Sequence, residues 1–167
     1  MKKLLFLTLL FSLQGYSQKT LEIYNLTVHT VHITGIVTNA SGAYPEFSAS
    51  FGAPGMITLT PGASYTLQNT SSTTRFPFES PSSVPYIPSW YRNTSPTAVT
   101  LMPSPAAWVL GNPQVFDTLR FRVVDSSGNG SFGTVSTTSP AATGPGWDAL
   151  YDMSSIPPAI TYTVVIF

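Results

Sequence analysis

The chain has 167 residues, of which 8% are charged, with zero formal net charge, 43% hydrophobic residues and no cysteine. Sparse charge without a basic cluster leaves no electrostatic footprint for nucleic acid, and the absence of thiols excludes disulfide scaffolds, thiolate metal sites and cysteine nucleophiles. The apolar and aromatic content is too high for disorder driven by charge.

Residues 1–17 carry the pattern of a secretory signal peptide. Lys2 and Lys3 form a positive start, 4–11 an apolar run, and Gly15-Tyr16-Ser17 a small-x-small cleavage site that leaves Gln18 first. The run is shorter than the ~20 residues of a spanning helix, and no later segment approaches that length. No Cys follows it, so no lipid anchor is expected. The mature chain then carries five basic and seven acidic residues, net −2. The expected location is outside the cytoplasm: periplasm, outer-membrane periphery or extracellular space.

From residue 18 onward, apolar residues alternate with period two, the mark of half-buried strands. Tyr24, Leu26 and Val28 share one face, and Val31, Ile33 and Val37 another. The switch from even to odd positions suggests a bulge near Thr30. Phe47, Ala49 and Phe51 alternate, as do Ile57 with Leu59 and Tyr65 with Leu67. Residues 76–113 hold eight of the fifteen prolines; missing ladder donors predict edge strands and ordered loops there. A linker between two domains is the competing reading, weakened by Phe76, Phe78, Tyr86, Trp90, Tyr91 and Trp108. In 115–124, Leu119, Phe121 and Val123 point inward and Arg120 and Arg122 outward. Trp147–Ser154 is the one helical candidate, about two turns by its length. Ile160–Phe167 is apolar on both faces near its end, as in a central strand. Turns at Ala53-Pro54-Gly55, Pro61-Gly62, 127–130 and Gly144-Pro145-Gly146 separate these runs. The expected fold is all-β: one domain, 18–167, forming a single antiparallel β-sandwich, jelly-roll or immunoglobulin-like, of roughly eight to eleven strands with at most one short helix.

The candidate chemistry is thin. His29 and His32 are the only histidines, and a bulge would bring both to one polar face, but a metal needs further ligands. Asp125-Ser126-Ser127-Gly128-Asn129-Gly130 matches the start of a calcium loop. Ser136 stands where the bidentate Glu belongs, so a hairpin loop fits better and no metal or cofactor is expected. No Gly-x-Ser-x-Gly elbow exists. Asp148 and Asp152, four apart, are the closest carboxylate pair and suit a solvated helix better than glycoside hydrolysis. The chain is therefore not expected to be an enzyme.

Aromatic residues carry the strongest signal. Tyr86, Trp90 and Tyr91 lie among prolines and serines; Trp108, and Trp147 with Tyr151, lie beside other loops. Rigid aromatic loops suit recognition because little entropy remains to be lost. These six form the candidate ligand-binding set, against the alternative that they close the ends of the sandwich.

The leader ending Gly15-Tyr16-Ser17-Gln18 resembles those of envelope proteins from gliding and polysaccharide-degrading Gram-negative bacteria. Cargo of type IX secretion there ends in a Lys-containing strand; Tyr162–Phe167 has no Lys, so the resemblance implies periplasm or outer-membrane periphery. Separately, Leu21–Val28 followed by 59–65 resembles the opening strands of thaumatin-like sandwiches over under a third of the chain, without that family's cysteines. The expected function is a non-catalytic accessory or binding protein docking on an envelope or outer-membrane protein complex or a surface glycan. A small carbohydrate-active enzyme or lectin-like module is the alternative. A structural subunit polymerising through exposed strands is a third reading.

Overall fold

The computed structural model describes residues 18–49, 57–68, 75–78, 87–111, 113–156 and 159–167. The expected leader 1–17, Phe51, the turn at 53–55 and Tyr86 lie outside them. Twelve strands and one short helix occur among the described residues: β1 (Gln18–Asn25), β2 (Thr30–Asn39), β3 (Glu46–Ala49), β4 (Ile57–Leu59), β5 (Ser64–Gln68), β6 (Ser89–Ser95), β7 (Ala98–Pro103), α1 (Ser104–Trp108), β8 (Val115–Val124), β9 (Gly130–Ser136), β10 (Ala141–Gly144), β11 (Trp147–Ile156) and β12 (Ala159–Ile166). This all-β sandwich has a five-stranded sheet in the order β10-β11-β12-β1-β5. The second sheet runs β7-β6-β3-β2-β8-β9, with β4 also on β2. The strand count exceeds the expected range because the proline-rich middle contributes a full hairpin, β6–β7. Among the described residues, no helix is long and apolar enough to cross a membrane.

Alternation explains most of the core. Leu119, Phe121 and Val123 of β8 are buried, as are Ile57, Leu59, Tyr65 and Leu67. β12 runs between β11 and β1, so the last strand is central, as its apolar pattern predicts. Its pairing with β1 is parallel, while the other pairs of both sheets are antiparallel.

Three expectations are corrected. The inward face of β1 is Leu21 and Ile23, with Leu26 and Val28 exposed in the connection that follows. No bulge occurs at Thr30; the chain leaves one sheet there and enters the other. Buried Asn25 organises that crossing. Its Nδ2 donates to the carbonyls of His29, Leu59 and Thr60 at 2.8, 2.9 and 3.1 Å, and its Oδ1 accepts from the N–H and hydroxyl of Thr27. The bulges of β2 fall instead at Ile33/Gly35 and Val37/Thr38, which makes Ile36, level with Leu119, the next inward residue.

Trp147–Ser154 is not helical but belongs to β11. Trp147 and Ala149 face inward and Asp148 and Leu150 outward, while β12 supplies ladder partners from Ala149 to Ile156. Sheet pairing here overrides a modest helical preference. The helix is α1, where Pro105 occupies the first turn at no hydrogen-bond cost.

Candidate functional site

The six candidate aromatic residues divide by exposure. Trp90 is 0% exposed; its ring meets Phe78 edge-on at 5.3 Å, and Phe78 meets Phe47 at 4.7 Å. Trp147 is buried against Phe121 at 5.1 Å, and its Nε1 donates to Ser131 Oγ at 2.6 Å. Both are core residues, so neither offers a ring to a ligand. Tyr151 is half-buried and stacks on Phe116 at 5.2 Å; burial pushes its phenol pKa up. Trp108 is half-buried with the Arg75 guanidinium 4.5 Å over its ring. Tyr86 lies outside the described residues. Tyr91 is the member of the set that stands clear of the surface, at 42% exposure. The set therefore does not assemble into one stacking platform among the described residues.

Tyr91 has apolar neighbours that the sequence reading missed. Neighbours in register share a face. Tyr91 lies opposite Leu101, and Asn93 opposite Val99, across the β6–β7 pair. Leu101 and Val99 are 56% and 58% exposed. On the other side of β6, Ser48 stands beside Tyr91 and Glu46 beside Asn93. The Asn93 amide donates to Glu46 Oε1 at 3.1 Å. The result is a short apolar row, Tyr91–Leu101–Val99, with a carboxylate–amide pair on its rim. Such a layout suits a dry protein contact with a polar border. It lies along β7, which ends its sheet.

A second feature lies where the β1–β2 connection, the β8–β9 hairpin and the β10–β11 turn meet. His29, Asp125, Asn129, Ser131 and Pro145 line a cleft of about 170 Å³. Asp125 is committed to its own loop. Its Oδ1 accepts from the Ser127 hydroxyl at 2.6 Å and from the N–H groups of Ser127 and Asn129, both at 2.9 Å. The Ser127 hydroxyl bond, aided by the two backbone bonds, holds the carboxyl below its ordinary value of 3.8. Gly128 turns the chain at φ +84°. The calcium-like spacing thus builds a hairpin loop, as the hairpin reading expects.

His32 stands on the outer face of β2, with Nδ1 3.0 Å from Thr58 Oγ1, and does not share the His29 cleft. Among the described residues, no group of three or more His, Asp or Glu is placed to hold a metal ion. Asp148 and Asp152 are exposed residues of β11 rather than members of a helix. Comparison with protein-family models, curated proteins and solved structures returns no match.

Proposed function

We propose that this is an exported, non-catalytic binding protein that docks on a protein component of the cell envelope through the Tyr91–Leu101–Val99 face. One observation carries the reading: Val99 and Leu101 stand exposed on the terminal, uncharged strand β7 with exposed Tyr91 in register beside Leu101 on β6, bordered by Glu46 and Asn93. Tyr is over-represented among residues that dominate binding energy, and a neutral apolar row favours stable contacts over steered encounters. The export half of the reading rests on Lys2-Lys3, the apolar run and Gly15-Tyr16-Ser17. A glycan is a weaker choice, because Trp90 and Trp147 are buried and Trp108 lies under Arg75.

The test is site-specific photocrosslinking in the native cell. A photoreactive residue at Tyr91 should capture a discrete envelope protein, while one at Thr66 on β5 of the opposite sheet should not. Capture from position 66 with none from position 91 overturns the proposal.

A further inference from the structure

We infer that β7 pairs edge to edge with β7 of a second copy, joining two seven-stranded sheets into one continuous sheet. This rests on the reading of β6–β7 as a contact face and names the occupant of its backbone edge.

The argument starts from hydrogen-bond direction. The Ser104 N–H donates to Pro88 O at 2.9 Å. With Ser89 opposite Pro103, that bond makes Ser89–Pro103 a pair that does not exchange main-chain bonds. Antiparallel pairs alternate, so Met102 and Thr100 direct their N–H and C=O groups to β6. Leu101 and Val99 direct theirs away from it. Pro103 has the same outward phase, so its missing N–H removes no bond to β6. Among the described residues, no strand lies beyond β7.

Natural proteins blunt such edges with charges, bulges, prolines or very short strands. Among the other terminal strands, β10 has four residues and β9 runs through the turn at Ser136 and Ser139 toward β10, while β7 has a proline only at its last position and a register shift only at its start. β7 has six residues, Ala98-Val99-Thr100-Leu101-Met102-Pro103, without one charge.

The strand is complementary to itself. In an antiparallel self-pairing with the two-fold axis at Thr100, Val99 meets Leu101 of the second copy and Leu101 meets its Val99. Each of these pairs uses the outward main-chain groups. Thr100 meets its own equivalent on the axis, in the pair type where Cα atoms approach most closely. No like charges face one another. The Tyr91–Leu101–Val99 rows then become contiguous, doubling the apolar face offered to the envelope component. An isologous contact of this kind closes at two copies rather than growing into a fibre.

The test uses Thr100→Cys, which introduces a single thiol into a cysteine-free chain, at a spacing a disulfide can bridge. On mild oxidation the purified protein should convert to a covalent dimer, whereas Thr66→Cys should not. Unmodified protein should sediment with the mass of two chains, shifting to one chain on dilution. Leu101→Pro removes an outward donor that β6 does not use. It should give one-chain mass at every concentration while keeping the circular dichroism spectrum. A monomeric wild type with no faster crosslinking at 100 than at 66 overturns the self-pairing, as does a dimer insensitive to Leu101→Pro. Oxidation of Thr100→Cys in the native cell that gives a disulfide to a foreign chain and no covalent dimer would also overturn the self-pairing and assign the edge to another protein. Photocrosslinking from Tyr91 to an envelope protein would survive these failures, which separates them from failure of the docking reading.

Discussion

Trp90 and Tyr91 are consecutive in β6 and face opposite ways, so truncating each in turn separates core from surface. Trp90 is wholly buried in a chain of rings, edge-on to Phe78, which is edge-on to Phe47. Removing the indole loses its transfer free energy and opens a cavity beside the Phe78 ring. Trp90→Ala is therefore expected to cost ~3–5 kcal/mol. That is a large share of the ~5–15 kcal/mol holding a typical domain together. At ~2–4 °C per kcal/mol for a chain of this size, the melting temperature should fall by roughly 6–20 °C. Tyr91→Ala should cost about 1 kcal/mol or less, as for a surface site. Trp90 Nε1 has no hydrogen-bond partner among the described residues, so Trp90→Phe also removes an unpaired buried donor and should cost less than Trp90→Ala. Urea unfolding followed by far-ultraviolet circular dichroism suits all three variants. If Trp90→Ala lies within about 1 kcal/mol of wild type with an unchanged m-value, the packing argument is wrong.

The remaining expectations concern the sheet centre, a corner and alkaline pH. Deleting Tyr162–Phe167 removes most of β12 from between β11 and β1 and should abolish cooperative unfolding; a truncated chain that melts at the wild-type temperature refutes this. A Cβ at Gly144 would run into the Trp147 indole, so Gly144→Ala should cost ~1–3 kcal/mol as overpacking, with altered near-ultraviolet dichroism. Burial pushes the Tyr162 phenol up to about 12 from 10.0, against an opposing backbone hydrogen bond with Phe116. The fold favours the neutral phenol, so this contribution is intact below pH 10 and lost between 10 and about 12. Tyr162→Phe should remove that share of the alkaline loss, measured as the pH dependence of the urea midpoint.

Strands with one clean period were legible from residues alone. Leu119, Phe121 and Val123 announce the inward face of β8, and Gly128 and Asn129 announce its hairpin. What failed depended on partners distant in sequence. Tyr24, Leu26 and Val28 alternate as regularly as Leu21 and Ile23, and only the exit of the chain at Asn25 toward the other sheet decides which set is inside. Trp147–Ser154 suits a short helix until β12 offers it a ladder. The candidate site was half legible. Trp90 and Tyr91 attracted notice together, yet neighbours in a strand face opposite ways, so no more than one of them could lie on a recognition surface. Val99-Thr100-Leu101 shows the period-two signal that would have revealed the rest of the row. Its outward direction, however, follows from Met102 pairing with buried Trp90, a fact of register rather than pattern.

The parallel pairing of β1 with β12 has a consequence for the order of assembly. Gln18 lies opposite Ala159 and Asn25 opposite Ile166, so two neighbours in one sheet are separated by nearly the whole described sequence. A chain made from its N-terminus has β1 and β5 in hand early but lacks the strand between β1 and β11. The sheet stays split at its middle, and the loop entropy of that long closure is met last. Tyr162, Val164 and Ile166, which complete the five-stranded side of the core, arrive with the same strand. The topology thus leaves the five-stranded sheet open at its middle until β12 is available to pair with both β1 and β11.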